Sequence, residues 1–262
     1  MPFEVPTIEI WSSSWVDTNT RYPYTSSSQG FVCGFQKLHL VPNDSGLGAL
    51  IGATDVPRDK KIHTTVRGLE LVMLKDGTAC ILRWSPAYDE YQSGAIYGTF
   101  TAGQSKWTSR VNFCRAYSEP PQVVTCIHSF NIASNKPWRV TCKATDIDKT
   151  GFTAHINAWG DTVVKDGGLF WFAHPSDRKG IVSGDVSLMD TFRSNGKVYW
   201  PSGAFSKKPR ICFVGLRHLN SDSRTDGVNF GIDYRIEDDH VKFTVTDKGR
   251  LDGASFTYIL IE

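Results

Sequence analysis

The stretch from Trp138 to Phe172 constrains the fold of this chain more than any other, because two runs within it alternate between apolar and polar residues. This alternation has the period of a half-buried β-strand, in which successive side chains point to opposite faces. The residues predicted to face the core are Trp138, Val140, Cys142 and Ala144 in the first run, and Phe152, Ala154, Ile156 and Ala158 in the second. The polar segment 146–151 between them predicts a turn, so we expect an antiparallel hairpin.

This hairpin places Arg139 opposite Trp159 on its outer face. A turn near Lys149 sets the register, and a shift by one residue would turn both apolar faces outward. A large exposed aromatic side chain usually has a partner or a ligand. Arg and Trp also pair commonly as a plain surface contact. The pattern alone leaves both interpretations open and favours the surface contact.

Several short segments resemble the H-type lectin domain, the family of snail agglutinins and of the C-terminal domain of slime-mould discoidins. These segments are PPQVV (120–124), WRV (138–140), GFTAHINAWGDT (151–162) and LFWFA (169–173). The resemblance is clearest over residues 105–174, moderate over 183–262 and weak over 1–101. It implies an all-β fold made of small antiparallel β-sandwiches. Such domains bind galactose or N-acetylgalactosamine without catalysis. They usually form trimers, with the sugar sites near the contacts between protomers. Cell agglutination and defence are roles that such a resemblance suggests.

The same resemblance implies that Arg139 and Trp159 bind the sugar. With it, a ligand-binding role for the two residues becomes the favoured interpretation, in place of a plain surface contact. The chain departs from the snail protein at two positions: Pro137 stands in place of an Asn, and Gly160 in place of a His that follows the Trp. Further polar contacts to the sugar are expected from Asp161, Asn157, His155 and Asn135. Of these, Asn135 or His155 would replace a lost contact. We expect no catalytic residue, no metal ion and no other cofactor.

Composition limits the choice of partner and location. The 29 basic and 27 acidic residues leave a formal net charge of +2, which gives no broad attraction to nucleic acid or to anionic membranes. Partners are therefore expected to be glycans or glycoproteins. The N-terminus lacks the pattern of a signal peptide, and no apolar run approaches the length of a membrane span. We expect a cytoplasmic protein, or one released without a signal peptide, that does not insert into membranes and that could form a homo-oligomer.

The six cysteines are expected to be reduced. Cys33, Cys126 and Cys212 each lie in an apolar, strand-like run, where a small buried thiol is the usual state. The chain has no CxxC pair and no histidine spaced for joint ligation, so a structural zinc site is not expected.

A faint threefold repeat divides the chain. A strand that ends in an aromatic residue recurs as IEIW (8–11), RVNF (110–113) and KVYW (197–200), and each is followed by a second apolar strand and a hairpin. We predict three tandem β-sandwich modules around a pseudo-threefold axis. They span residues 1–101, a divergent module; residues 102–176, with the best-matched sugar site; and residues 177–262, with an altered site.

The flanking modules lack the Arg–Trp pair. In the third, the alternation of the hairpin 228–245 places Asn229 and Lys248 where Arg139 and Trp159 stand in the second. With the nearby Arg250 they are weaker candidates for a polar ligand, and a solvated strand face is the commoner explanation.

The first module contains Asp76-Gly77, a dipeptide typical of a two-residue hairpin turn. That turn would place Trp84 in the core and pair Glu70 with Arg83 on the outer face. We therefore expect no sugar site of the same kind there.

Enzyme motifs are absent from the sequence. It has no GxSxG, HExxH, phosphate-binding or dinucleotide-binding motif. The carboxylate pairs Asp146/Asp148 and Asp185/Asp190 lie in turn-like segments, where acidic residues commonly cap the backbone. We predict a non-enzymatic lectin. The alternative is a β-sandwich scaffold or partner-binding protein that has lost sugar binding. An Arg139/Trp159 face that is open to solvent would favour the lectin, and a face covered by a neighbouring module would favour the scaffold.

Overall fold

The structure is a computed structural model that describes residues 3–4, 7–11, 18–23, 30–41, 46–56, 61–68, 73–84, 90–133, 136–187, 195–222, 227–247 and 251–262. All regular elements in these ranges are β-strands. No helix there is long and apolar enough to cross a membrane.

Nineteen strands follow one another along the described parts of the chain. In order they are β1 (Phe3–Glu4), β2 (Thr7–Trp11), β3 (Thr18–Pro23), β4 (Gly30–Val41), β5 (Gly46–Val56), β6 (Lys61–Gly68), β7 (Met73–Trp84), β8 (Gln92–Thr99), β9 (Lys106–Asn112), β10 (Gln122–Ala133), β11 (Trp138–Thr145), β12 (Gly151–Ala158), β13 (Val164–His174), β14 (Ile181–Ser187), β15 (Asn195–Tyr199), β16 (Ile211–Ser221), β17 (Val228–Ile236), β18 (His240–Asp247) and β19 (Gly253–Ile261).

The strands form three antiparallel sheets, and each sheet combines strands from two separate parts of the chain. The first has the order β1-β7-β4-β17-β18-β15, with β2 also paired to β7. The second has the order β3-β6-β5-β10-β13-β8, and the third β14-β19-β16-β11-β12-β9. The predicted all-β class is therefore confirmed.

The joins inside the sheets connect the predicted modules. β17 pairs with β4, β5 pairs with β10, and β11 pairs with β16. β8, which the sequence placed at the end of the first module, pairs with β13 of the second. The module boundaries and the pseudo-threefold axis remain predictions.

Two hairpins have the predicted register. Val140 lies opposite Ala158, the alignment that sets Arg139 against Trp159. The inward residues of β11 and β12 are buried or partly buried, as the alternation required. In β17 and β18, Phe230 lies opposite Asp247, in keeping with the predicted register; Lys248 lies outside the described residues.

The predicted hairpin at Asp76-Gly77 is wrong. β7 runs unbroken through both residues, with Asp76 opposite His39 and Gly77 opposite Leu38 on β4. β7 is also paired to β2 on its other edge. This long-range ladder on both edges satisfies the backbone and overrides the local turn preference. The backbone of Trp84 lies opposite Gly30; its side chain, and Glu70, lie outside the described residues.

The long strands β4, β10 and β16 meet at a point where there is no room for larger side chains. A Cβ on Gly34 would lie 2.5 Å from the Cα of Gly215, and one on Gly215 would lie 2.8 Å from the Cβ of Cys126. The Cys126 thiol donates to the carbonyl of Cys33 at 3.0 Å. The buried apolar residues form one cluster with members in all three sheets, so strands of all three predicted modules share a core.

Candidate functional site

The candidate site lies where β12, β11 and β16 run side by side in the third sheet. Arg139 on β11 lies opposite Asn220 on β16, and Thr141 lies between Asn157 on β12 and His218 on β16. The alternate residues of β11, Trp138 and Val140, are fully buried. The polar side chains of the three strands therefore share the outer face.

Two carboxylates hold the guanidinium of Arg139. Its Nη2 donates to Oδ1 of Asp222, which follows β16, and its Nη1 lies 3.7 Å from Oδ1 of Asp161, which follows β12. The Arg139 side chain is 21% exposed. Lys136 completes the group, with its Nζ 4.0 Å from the other oxygen of Asp161. The guanidinium is thus fixed in place before any ligand arrives.

Gly160 makes room for this guanidinium. It has a φ of +64°, in the left-handed region that favours glycine. A Cβ at this position would overlap Nη1 of Arg139. The glycine that stands where the snail protein has a His therefore permits both the turn after β12 and the close approach of Arg139.

The Trp159 indole stacks on the imidazole of His218, with ring centroids 4.7 Å apart and an angle of 23° between the planes. Because β11 lies between β12 and β16, the indole spans β11 to reach this ring. Trp159 is itself partly exposed. Burial, assisted by the neighbouring charge of Arg217, lowers the pKa of His218 to about 4, so this ring is neutral at pH 7.

On the outer face of β12, β11 and β16, three polar atoms are buried and have no hydrogen-bond partner among the described residues. They are Oδ1 of Asn157, Nε2 of His218 and Oδ1 of Asn220. Buried polar atoms are normally paired, and leaving one unpaired is costly. The three atoms therefore mark a place where the described part of the chain leaves hydrogen-bonding capacity unused.

The remaining predicted residues are not all brought to this place. His155 lies farther along β12, opposite Lys143, and its Nε2 is 2.7 Å from Oγ1 of Thr145. Burial lowers its pKa. Asn229 lies on β17 in another sheet, opposite His39. Asn135, Lys248 and Arg250 lie outside the described residues.

The sequence did not identify three residues of the site: His218, Asn220 and Asp222. Their signal was present, because polar residues at 218, 220 and 222 alternate with apolar or small ones at the end of β16. Nothing local to the sequence indicates that β16 pairs with β11, since Arg139 and Asp222 are 83 positions apart. The alternation of residues along a strand shows which of its faces is polar, but it does not show which other strand pairs with it.

This surface carries groups that can contact both the polar and the apolar parts of a ligand. It offers an aromatic ring, a fixed guanidinium donor and two carboxylate acceptors. No group of three His, Cys, Asp or Glu side chains that could hold a metal ion is found in the described ranges.

Comparison with known proteins identifies a domain within the chain. Residues 108–174 match the model of the H-type lectin domain, so the predicted resemblance is confirmed for that segment, which carries Arg139 and Trp159. Among solved structures, the chain is similar to recombinant discoidin II of Dictyostelium discoideum, with 14% identity and a TM-score of 0.30 over 54% of this chain and 73% of that one. No curated protein matches the chain. The segment 108–174 is thus similar to the H-type lectin domain.

Proposed function

We propose that this protein is a non-enzymatic lectin that binds terminal galactose or N-acetylgalactosamine through the surface formed by Arg139 and Trp159. The observation that carries the proposal is the juxtaposition of a partly exposed indole and a fixed guanidinium inside the segment matched by the lectin domain. The unpaired atoms of Asn157, His218 and Asn220 support it, because they lie on strands at the same surface.

Galactose-type sugars fit these groups chemically. One face of the ring carries C–H groups that can pack on the Trp159 indole. The hydroxyl groups on the other positions can accept from the Arg139 guanidinium and donate to Asp161 or Asp222. All these groups are supplied by protein side chains, so the proposed binding requires no metal ion.

Paired carboxylates can cleave glycosidic bonds, but Asp146, Asp148 and Asp185 all accept hydrogen bonds from neighbouring groups of the fold, Asp146 from the Thr145 hydroxyl at 2.9 Å. Oδ1 of Asp148 accepts from the backbone N–H groups of Thr150 at 2.6 Å and Gly151 at 3.0 Å, which closes the β11–β12 turn. Asp185 accepts from the Thr257 hydroxyl at 2.9 Å and pairs with Nε of Arg217 at 3.1 Å. Asp190 lies outside the described residues. These contacts support binding without catalysis.

A glycan array, run with and without a chelator, tests the proposal. We expect galactose- and N-acetylgalactosamine-terminated glycans to bind equally well under both conditions. Loss of binding on chelation would contradict the metal-free site. Retention of glucose- or mannose-terminated glycans alone would contradict the proposed specificity.

One observation favours the alternative of a scaffold that no longer binds sugar. The Arg139/Trp159 face is only partly open, because Trp159 already contacts His218 and Arg139 already pairs with Asp222. Both partners come from β16 and the residue that follows it, so these contacts also join two parts of the chain. An array without any bound glycan would support this alternative.

A further inference from the structure

We infer that Asp161 and Asp222 make this surface selective for uncharged sugars over sugars that carry sulfate, phosphate or carboxylate groups. The inference rests on the proposed function and concerns which glycans the Arg139/Trp159 surface accepts. It assigns a specificity role to two carboxylates.

An arginine on a glycan-binding surface would by itself suggest an acidic ligand. A guanidinium binds carboxylate, sulfate or phosphate groups through paired hydrogen bonds, and Arg is the usual residue for that purpose. In this site, however, the guanidinium already has carboxylates on both terminal nitrogens, Asp222 at Nη2 and Asp161 at Nη1. An acidic ligand would have to displace one of them.

The charge around Arg139 also opposes an anion. The side chains of Asp161 and Asp222 are 46% and 64% exposed, so both face the solvent from which a ligand arrives. A third carboxylate, Asp252, accepts from the backbone N–H of Asp222 at 2.6 Å. Among the described side chains of this group, the cations are Arg139 and Lys136. Around Arg139 itself, three carboxylates therefore stand against two cations, and the further cation Arg217, near His218, is already paired with Asp185.

A neutral sugar meets no such penalty. A hydroxyl group can donate to a carboxylate and accept from a guanidinium N–H, so it can join the ion-paired network without displacing a member. A sulfate or carboxylate can only accept, and like charges at contact distance repel even at physiological ionic strength, where screening acts over about 8 Å. The network thus favours ligands that both donate and accept.

The test compares two soluble glycans that differ only in charge, a galactose-terminated disaccharide and the same disaccharide sulfated on its terminal sugar, in about 0.15 M salt. For the wild-type protein we expect the neutral form to bind at least about tenfold more tightly. In the double variant Asp161→Asn/Asp222→Asn the ratio should fall to about threefold or less, or reverse. The matched control is Asp238→Asn/Asp239→Asn, which changes the net charge equally at an exposed turn, where Asp238 is 98% exposed.

Each outcome separates the inference from the proposed function. If the wild-type protein binds the sulfated form as tightly as the neutral form, selectivity is overturned and the lectin function stands. An unchanged ratio in a folded site variant, or an equal change in the control, overturns the role of the two carboxylates. If neither glycan nor any other galactose-type sugar binds, both proposals fail. The wild-type comparison decides selectivity even if the double variant does not fold.

Discussion

Trp138 and Trp159 lie at the same end of one hairpin but on opposite faces, and this difference predicts different effects of truncation. Trp138 is fully buried, so Trp138→Ala should lower the free energy of unfolding by about 3–5 kcal/mol through the cavity it leaves. Trp159→Ala removes a partly exposed ring stacked on His218 and should cost no more than about 1.5 kcal/mol. Thermal melts of the two variants check this. Equal destabilisation would mean that Trp159 is a packing residue.

Gly160 offers a second test at the residue scale. Gly160→Ala should lower the free energy of unfolding by about 1–2 kcal/mol, because its φ of +64° is strained for alanine. It should also weaken sugar binding by displacing Arg139, whose Nη1 the new methyl group would overlap. Thermal melts and sugar titration measure the two effects.

The control for this variant is Gly103→Ala. Gly103 has a φ of +82°, and a methyl group there would meet no described atom within 4 Å. This variant should therefore show a similar loss of stability and normal binding. If both variants bind sugar equally well, Gly160 has no role in positioning Arg139 for binding.

The residues of the site were predictable only in part. Arg139 and Trp159 follow from alternation and register, because side chains on a strand point to opposite faces in turn. His218 and Asp222 could not be placed beside them, since that depends on which strand edges meet. The same limit applies to the asparagines: Asn157 was a candidate, while Asn220 was not.

At the scale of elements, His174 joins the end of β13 to β14. Its Nδ1 donates to the Pro175 carbonyl at 2.8 Å, and its Nε2 accepts from the Ser183 hydroxyl at 2.9 Å. Burial lowers the pKa of His174 to about 4, against the opposing effect of the Pro175 carbonyl. Between about pH 6.5 and pH 4, the His174 ring is therefore neutral in the folded protein but protonated in the unfolded chain.

Stability should consequently fall as the pH drops from 7 to 4. Above the ordinary histidine pKa the ring is neutral in both states and contributes nothing to the pH dependence. Below it, only the unfolded state gains a proton until the pH approaches 4, which costs on the order of 3 kcal/mol. His218 acts in the same direction. Chemical denaturation of wild type and His174→Gln across this range should show a shallower fall in the variant, and an identical fall would contradict the assignment.

The elements themselves show where local sequence is sufficient. The β11–β12 and β17–β18 hairpins were predictable because their apolar faces and turns agree. At Asp76-Gly77 the turn signal was misleading, because the pairing of β7 with both β4 and β2 outweighs the preference of two residues. Long-range pairing of this kind leaves no local trace.

For the whole molecule, the sharing of strands between distant parts of the chain predicts cooperative unfolding. Removing residues 102–176 from their neighbours would expose the edges of β10 and β11, which pair with β5 and β16. We expect a single calorimetric transition, with equal calorimetric and van't Hoff enthalpies. Limited proteolysis should release no stable middle fragment. Recovery of such a fragment, folded, would contradict this packing.

The close contact between β4 and β16 at Gly34 and Gly215 allows a second test of cooperative unfolding. Gly34→Ala should destabilise the whole protein by about 1–3 kcal/mol or more, because its Cβ would lie 2.5 Å from the backbone of Gly215. The transition should move to lower temperature and stay single. A split transition would show that the strands fold in independent units.

The weak binding energy expected of a single site predicts that strong attachment needs several sites. A charge-assisted contact from Arg139 is worth roughly 1.5–3 kcal/mol and an aromatic contact from Trp159 about 1–2 kcal/mol. One such site would bind a monosaccharide only in the millimolar to high-micromolar range, since about 4 kcal/mol corresponds to roughly 1 mM. Stronger attachment to a glycan-bearing surface would require several sites on one particle, through a homo-oligomer for example.

The most direct test of the lectin proposal is calorimetric titration of N-acetylgalactosamine into the wild-type protein, Trp159→Ala, Arg139→Ala and the control Lys143→Ala. Lys143 is exposed on β11, farther along the strand and opposite His155. We predict a dissociation constant between about 0.1 and 1 mM for wild type and control, and no measurable binding for the other two, with all four proteins folded. Normal binding by Trp159→Ala, or no binding by wild type at millimolar sugar, would contradict the account.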